Sequence, residues 1–468
     1  MDNTSLDYIQ SQTYRQIWLF LALLLGSIAV GGIVAAAEKF GFILAIALVG
    51  AIWGVVALMR PMLLLCAAIV IAASVSALRE IAIPVGRTTM TLSGLAWLMI
   101  AGLVLLYLLI HARSVQVPGY LWPFIAFVGW AGVRWLLTPT GFPGLKDLLW
   151  YSMPVLFGLF VPLALGRDKR TVLRNVRSLE RVFLGSVFIP IALLAVALAT
   201  GLAEMTWRGP RGELVGSARG MPLYLLVVLA VALANWRYGP LKVRGRLFSL
   251  LALGTILFTL GRMASFLGLM LLGLSRINPR RKWQLLGAGV VVAAIMLFAI
   301  THIPILQQRF FFTEDWDPSM GLKGINTAGR SLIWPTVYLS AMQSPILGHG
   351  LGVARIVTAQ LFAGKKDVAE YHPHNEYLQI WHDMGVIGLF LVIVSWAGTF
   401  VRQWRRWEHS TRRLVAKWGM ASVLALSAIL ISSLMDNTLH YPIVVVPAII
   451  VISIESRITR MNQYGEED

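Results

Sequence analysis

The sequence contains little charge for its length. Charged residues make up 13% of its 468 positions, whereas hydrophobic residues make up 57% and the mean hydropathy is +0.73. A soluble domain would need about twice this share of charge to cover its surface. The composition therefore excludes a soluble globular protein and predicts a polytopic integral membrane protein.

Cysteine and acidic residues are scarce as well. Because Cys66 is the only cysteine, an intramolecular disulfide is excluded. The 22 acidic residues stand against 40 lysines and arginines, which gives a net charge of +18. The basic residues form short clusters between apolar runs. Membrane topology explains them better than nucleic-acid binding does, and no nucleic-acid partner is expected.

Long apolar runs dominate the chain and predict an all-α fold. Runs able to cross ~30 Å of hydrocarbon lie at residues 17–37, 40–59, 61–78, 92–110, 120–137, 148–165, 182–200, 222–236, 285–300, 386–401, 419–434 and 443–454. Two shorter runs, 248–260 and 264–274, flank Arg262. We therefore expect about twelve to fourteen transmembrane helices. The first run follows acidic residues, whereas a secretory signal has basic residues there. We therefore expect this run to stay in the protein as a transmembrane helix.

Basic clusters predict the orientation of these helices. The clusters at 167–181, 237–246, 276–282 and 402–413 fall on one face if the spans alternate. By the positive-inside rule this face is cytoplasmic, and both termini are expected there. The opposite, extracytoplasmic face then receives the loop 201–220, Arg262, the interval 301–384 and the turn 436–441.

The interval 301–384 is the strongest change in composition. We expect it to be a helical extracytoplasmic insertion between a transmembrane bundle, residues 1–300, and C-terminal transmembrane helices with a short cytoplasmic tail, residues 385–468. Within it, residues 328–343 have the spacing of an amphipathic helix that the glycines of 345–352 end. Residues 376–383 predict a second short helix.

The segment His372-Pro-His-Asn-Glu-Tyr377 is the best candidate for chemistry. Neutral imidazole accepts and returns a proton near pH 7, so His374 is predicted to be a general base that deprotonates a hydroxyl. Asn375 follows it, Tyr377 lies about one helical turn further on, and these two with His372 are candidate substrate-binding residues. His372 either orients His374 or faces solvent. The alternative is that these are solvated loop residues.

Two patterns raise the question of a metal site. The histidine pair would need a further ligand, and the other histidines of this region, His302, His349 and His382, are scattered. Asp315-Trp-Asp317 has the spacing of a metal-binding acid pair, but equally that of solvated acids in a loop. Neither pattern compels a metal, and we expect a site without metal or other cofactor.

Arginines are the candidate substrate-binding residues. The planar guanidinium group makes paired, charge-assisted hydrogen bonds to phosphate. Arg262 lies inside an apolar stretch, where an unpaired charge costs about several kcal/mol, so an anionic partner is expected. The alternative is a topology arginine in a tight turn. Arg208, Arg211 and Arg219 add charge on the same predicted face, and Arg330 begins the amphipathic helix.

A base histidine and several arginines at one membrane boundary fit one type of reaction. A hydroxyl attacks a phosphorylated carbon while the arginines stabilise the charge that develops on the departing phosphate. A lipid-linked donor would reach such a site through the bilayer.

Several motifs resemble those of one bacterial superfamily. They are Thr259-Leu-Gly-Arg262, Gly329-Arg330 with Ile333-Trp334, Pro345 with Gly348-His-Gly350, His374-Asn-Glu-Tyr-Leu378 and Gly385-Val-Ile-Gly388. With the large polar segment before the last spans, the chain resembles the O-antigen ligases, O-antigen polymerases and protein O-oligosaccharyltransferases over nearly its whole length. Gly261 departs from the family, in which serine is common before the arginine.

The resemblance implies a fold similar to membrane GT-C-type glycosyltransferases and a metal-independent, inverting glycosyltransferase of the bacterial inner membrane. An O-antigen ligase takes a glycan from undecaprenyl pyrophosphate at the periplasmic face. It transfers the glycan to a sugar hydroxyl of lipid A-core and so completes lipopolysaccharide. By this resemblance His374 is the base, Arg262 and Arg219 bind the pyrophosphate, and membrane lipids are further partners.

Other functions remain open from the sequence. Within the superfamily, a polymerase would extend the glycan on its own carrier, and a protein ligase would glycosylate serine or threonine. A transporter would also place charges inside the membrane. Paired discontinuous helices in two related halves are expected of a transporter, and one such break is visible here, at Arg262.

Overall fold

The computed structural model describes residues 58–74, 77–78, 82–85, 88–206, 209–212, 220–281, 330–361 and 371–464, together with positions 54, 56, 287, 294 and 298. The chain divides into two compact units, residues 1–65 and 66–468. The site discussed below lies entirely in the second unit.

The second unit is built almost entirely from α-helices, as predicted, with two short hairpins. The helices are α1 Pro61–Ala73, which starts before the unit boundary, α2 Leu92–Ile110, α3 Trp122–Leu137, α4 Phe142–Leu165, α5 Lys169–Gly185, α6 Phe188–Ala199, α7 Gly220–Tyr238, α8 Lys242–Phe258, α9 Arg262–Arg276, α10 Arg330–Ala341, α11 Val353–Gln360, α12 Glu376–His409, α13 Arg413–Ser432 and α14 Pro442–Tyr464. Short 3-10 helices cover Ala112–Ser114 and Thr438–His440. The antiparallel hairpins are β1 Ala82–Val85 with β2 Thr88–Thr91, and β3 Ala203–Thr206 with β4 Gly209–Gly212.

The helices make this a multi-pass membrane protein. By length and composition, seven described segments can cross a membrane: Leu92–Ile110, Phe142–Leu165, Lys169–Ala199, Gly220–Tyr238, Glu376–His409, Arg413–Ser432 and Pro442–Met461. α1 and α3 are shorter apolar helices. The predicted spans at 17–37, 40–59 and 285–300 lie wholly or largely outside the described residues, so the total of about twelve to fourteen stays a prediction.

Three helices form the centre of the bundle. Buried residues make up 83% of the apolar window of α7, 78% of that of α13 and 89% of that of α14, compared with 39% for α12. A helix that is apolar all round and buried all round must have protein neighbours on every side. α7, α13 and α14 are therefore enclosed by the others, and α12 faces the lipid along one side.

Side-chain contacts at the helix ends show which ends share a face. The Arg237 guanidinium, at the end of α7, donates to the carbonyl oxygens of Ser275 and Ile277 at the end of α9, at 2.7 Å each. Trp407 Nε1, near the end of α12, donates to the Tyr238 hydroxyl at 3.0 Å. The C-terminal ends of α7, α9 and α12 therefore lie together.

Two further contacts add α4 and α14 to this arrangement. Arg406 on α12 forms an ion pair with Glu455 on α14 at 2.7 Å. Arg457 on α14 donates to the carbonyl oxygen of Gly166, which follows α4, at 2.9 Å. We call the side on which these five helices end the basic face, because the predicted basic clusters meet there. Their N-terminal ends lie on the opposite side, the site face.

Candidate active site

The backbone around His374 is fixed by hydrogen bonds. Asn375 is the N-cap of α12, and its side-chain oxygen accepts from the Leu378 N–H at 3.0 Å. His374 has a φ of 56°, in the left-handed region that non-glycine residues rarely adopt. Its N–H donates to the Asn437 side-chain oxygen at 2.8 Å. His374 is thus held in one unusual conformation at the site-face end of α12.

A carboxylate lies against the His374 ring. The Nδ1 atom of His374 is 3.3 Å from Asp436 Oδ1, and the two side chains are 12% and 13% exposed. The same Asp436 oxygen accepts from the Tyr441 hydroxyl at 3.1 Å and from the Asn437 N–H at 2.9 Å. A carboxylate on one ring nitrogen orients an imidazole and stabilises its protonated form, which is what a general base requires.

Beyond this pair lies a cluster of buried polar and charged side chains, which we call the buried network: Asp147, Arg355, Glu376, Gln379 and His440. Asp147 forms an ion pair with Arg355, and His440 Nε2 lies 3.1 Å from Asp147 Oδ1. His440 Nδ1 is 2.9 Å from Glu376 Oε1. These side chains are almost fully buried, so each charge depends on an opposite charge beside it.

Asn437 joins the buried network to His374. The Asn437 side-chain amide donates to Gln379 Oε1 at 2.7 Å, while its oxygen accepts from the His374 backbone. Glu376 is held in turn by the Tyr151 hydroxyl and by the Leu439 N–H, at 3.0 Å each. The position of His374 therefore depends on α4, α12 and the turn before α14 together.

His372 points towards the buried network. Its Nδ1 atom lies 3.3 Å from Gln379 Oε1, and its ring centroid is 5.2 Å from that of His440. Burial, with the nearby charge of Arg355, holds the pKa of His372 well below its usual value. Burial also lowers the pKa of His440, although the Glu376 carboxylate acts in the opposite direction. His372 is thus neutral near pH 7 and lies against Gln379 and His440.

The amphipathic helix predicted at 328–343 is present as α10, and it contacts the site at two points. Its first residue, Arg330, donates to the Met435 carbonyl oxygen at 2.7 Å, next to Asp436. Trp334 Nε1 donates to the Pro373 carbonyl oxygen at 2.9 Å, next to His374. Of the predicted arginines, Arg330 is the one that these contacts place beside the histidine.

Arg262 begins α9, as the predicted break in the apolar run implies. Leu260 has a φ of 52°, and Gly261 is the N-cap, so the chain turns sharply between α8 and α9. α9 runs parallel to α7 and packs against α13. α13 ends on the site face, where the Ser433 carbonyl oxygen accepts from the Glu376 N–H at 2.9 Å. Arg262 and His374 therefore share the site face.

The structure describes two of the remaining predicted residues, Tyr377 and Arg211. The Tyr377 hydroxyl donates to the Leu430 carbonyl oxygen at 2.9 Å and so ties α12 to α13. Arg211 is exposed on β4, in the hairpin register opposite Glu204. Arg208 and Arg219 lie outside the described residues.

The glycines of the loop 345–352 and Gly385 in α12 allow the loop to pack closely against a kink in that helix. The helix predicted at 376–383 is the first part of α12, and non-helical backbone at Gly385, whose φ is 68°, separates it from the long second part. A Cβ atom at Gly385 would lie 1.9 Å from the Ile346 carbonyl oxygen. The Asp383 carboxylate accepts from the Gly352 and Ala354 N–H groups at 2.9 and 2.7 Å and so caps α11. The loop 345–352 is thus fastened to the kink.

Two histidines considered as metal ligands belong to this loop contact. His382 lies between Asp383 Oδ1 at 2.9 Å and the Ser340 hydroxyl at 3.0 Å, and His349 Nε2 donates to the Ser340 carbonyl oxygen at 2.7 Å. In the described part of the chain, no three His, Cys, Asp or Glu side chains are grouped as metal ligands. Outside that part lie the other candidates, His302, Asp315 and Asp317.

Comparison with known proteins identifies the central part of the chain. Residues 247–393 match the family model described as O-Antigen ligase. This segment, under a third of the chain, is similar to the O-antigen ligases. A curated protein of Rickettsia conorii, provisionally named a polysaccharide ligase, is 33% identical over 78 residues, which are 14% of this chain and 18% of that protein. The match therefore covers under a fifth of the relative's length.

The O-antigen ligase segment holds only part of the site. It runs from α8 through the kink of α12 and contains Arg262, Arg330 and His374. Asp147 on α4 and Asp436 in the turn before α14 lie outside it. The sequence indicated the turn 436–441 as part of the extracytoplasmic face but gave Asp436 no role, and its one local signal is an acid in a turn between two apolar runs.

Proposed function

We propose that this protein is an O-antigen ligase. It transfers a glycan from undecaprenyl pyrophosphate to a sugar hydroxyl of lipid A-core at the periplasmic face of the bacterial inner membrane, completing lipopolysaccharide. The observation that carries this proposal is the contact between His374 and Asp436 at the helix ends opposite the basic face, with His374 inside the segment that matches the O-antigen ligase model.

His374 acts as the general base of an inverting displacement. As the acceptor hydroxyl attacks the anomeric carbon, its proton passes to the Nε2 atom of His374. The bond from the anomeric carbon to the pyrophosphate oxygen breaks, and the pyrophosphate leaves with that electron pair. Asp436, on Nδ1, stabilises the imidazolium that forms. Because there is a single displacement, the configuration of the anomeric carbon inverts.

Arginines bind the pyrophosphate and stabilise the charge that it gains. Arg262 and Arg330 both lie on the site face, and each presents a guanidinium that holds its charge at any physiological pH. Arg211, Arg208 and Arg219 supply further positive charge from the segment before α7. Such cations stabilise the departing anion more strongly than the ground state, which is the requirement for faster transfer.

Asn375, Tyr377 and His372 hold the segment in place. Asn375 caps α12, Tyr377 ties that helix to α13, and His372 packs against the buried network. We expect the reaction to need no metal and no other cofactor, because a base, a leaving group with low basicity and fixed cations suffice for it.

The experiment is a transfer assay with purified protein in lipid nanodiscs. The donor is an undecaprenyl-pyrophosphate-linked glycan, and lipid A-core competes with unmodified donor and with a serine- and threonine-rich peptide as acceptors. We expect glycosylated lipid A-core from the wild type and none from His374→Ala. His409→Ala, a histidine at the basic-face end of α12, should retain activity.

The product decides between the members of the superfamily. Elongated donor would show a polymerase, and glycosylated peptide would show a protein O-oligosaccharyltransferase. Full activity of His374→Ala would remove this histidine from the mechanism. If no acceptor is glycosylated while labelled substrate crosses the membrane of sealed vesicles, the protein is a transporter.

A further inference from the structure

A cavity opens on the basic face, at the ends of the helices that are opposite the candidate active site. It has a volume of about 440 Å³ and is lined by four arginines, Arg113, Arg167, Arg457 and Arg460. We call it the arginine cleft. It lies where α2 and α4 end and beside the last turns of α14. α4 and α14 also carry residues at or next to the site at their other ends.

The arginine cleft has a strong positive charge that its own lining does not neutralise. Among the described residues, no aspartate or glutamate lines it. The nearby carboxylates have other partners: Glu455 pairs with Arg406, and Asp168 accepts from the Thr171 N–H as the N-cap of α5. Four like charges around one cavity repel each other, so an anion bound among them would relieve the repulsion.

Two of the arginines are already oriented by the fold. Arg457 donates to the carbonyl oxygens of Gly166 and Arg167, at 2.9 and 3.0 Å, and these carbonyls follow the end of α4. Its Nε atom is buried and finds no hydrogen-bond partner among the described residues. Arg167 donates to the Ser114 hydroxyl at 3.0 Å. The guanidinium groups are therefore held at the cleft and not dispersed into solvent.

One wall of the cleft is apolar. Leu159 and Leu163 line it from α4, and Pro118 lines it from the segment before α3. At the end of α2, just before this segment, Leu109 and Ile110 are 65% and 60% exposed. Large apolar side chains this exposed at the end of a transmembrane helix face lipid hydrocarbon. The cleft therefore joins cationic groups to the edge of the bilayer.

We propose that the arginine cleft binds the phosphate headgroup of an anionic phospholipid, with the acyl chains along Leu159 and Leu163. Arginine makes paired hydrogen bonds to phosphate, and basic pockets at helix ends on the cytoplasmic side are suited to acidic lipid headgroups. A soluble phosphate would satisfy the arginines but leave the apolar wall uncovered. This inference is independent of the proposed transfer reaction.

The test measures lipid binding to the purified full-length protein. Phosphatidylglycerol, phosphatidylethanolamine and inorganic phosphate are titrated separately, with native mass spectrometry for bound lipid and thermal unfolding for stabilisation. The cleft variant is Arg113→Gln with Arg460→Gln, because these side chains cap no helix in the described structure. The control is Arg170→Gln with Arg174→Gln, which removes the same charge from the exposed surface of α5.

We expect phosphatidylglycerol to bind and to raise the unfolding temperature, and phosphatidylethanolamine to do so far less. The cleft variant should lose about 30-fold in affinity for phosphatidylglycerol, from about fivefold per arginine, while the control keeps wild-type affinity. Equal binding of both lipids, equal loss in the cleft and control variants, or full stabilisation by phosphate alone would each overturn the proposal.

Discussion

The His374 Nδ1 atom lies 3.3 Å from Asp436 Oδ1, although 62 residues separate the two in the chain. Between them α12 and α13 cross the bundle, away from the site face and back again. Because Asn437 also accepts from the His374 N–H, the turn 436–437 holds both the ring and the backbone of this histidine. Replacing either residue of the turn therefore tests the site without removing the histidine.

Asp436→Asn should lower kcat for glycan transfer by about 100-fold or more, because an amide does not stabilise the imidazolium and can favour the wrong tautomer. The KM for the acceptor should change little. Steady-state kinetics with the lipid-linked donor measure both quantities. Glu408→Gln, at the basic-face end of α12, is the control and should behave like the wild type. An unchanged kcat in Asp436→Asn would mean that the carboxylate does not assist the base.

Arg262→Ala should weaken donor use severely, because the site loses the cation that we propose binds the pyrophosphate. Arg262→Lys should recover part of the activity, since lysine keeps the charge but not the paired hydrogen bonds. The measurement is kcat/KM for the donor at constant acceptor. Arg281→Ala, an exposed arginine just beyond α9, controls for loss of charge alone. Wild-type kinetics in both Arg262 variants would indicate a topology arginine.

Gly385→Ala should destabilise the protein by about 1–3 kcal/mol or more, because a positive φ disfavours alanine and the new Cβ atom would collide with the Ile346 carbonyl oxygen. Transfer activity should fall with it, since His374 lies just before the N-cap of the same helix. Gly398→Ala is the matched control on α12, where a Cβ atom meets nothing within 4 Å. Alanine there should be neutral or slightly stabilising. Thermal unfolding of both variants measures the difference.

The stability of the protein should fall as the pH drops below about 6.5, the pKa of histidine in an unfolded chain. The folded protein holds the pKa of His372 well below that value, so the unfolded state takes up the proton first and is favoured by acid. Above this range His372 is neutral in both states and contributes no pH dependence. His372→Gln should therefore flatten the decrease in unfolding temperature between about pH 6.5 and pH 5. A decrease as steep as that of the wild type would assign the effect to other groups.

The local features of the sequence predicted much of the described structure. The run at 92–110 forms α2 with the same bounds, and the amphipathic spacing at 328–343 contains α10. The break at Arg262 is the start of α9. These predictions depend on apolar periodicity and on the positions of glycines. Both affect structure over only a few residues, so they can be recognised in the sequence. The short helix predicted at 376–383 is the part of α12 that precedes the kink at Gly385.

The amino-acid sequence by itself determined that the protein is helical and embedded in a membrane. It also singled out two residues, Arg262 as a charge inside an apolar stretch and His374 as a histidine in the polar interval. It did not predict that Asp436 would contact His374 or that Asp147 would pair with Arg355, 208 residues away. Tertiary structure decided these pairs, since a buried charge requires an opposite charge nearby but any acid in the chain could supply it. Only the packing of α4, α12 and α13 and of the turn before α14 selects which one does.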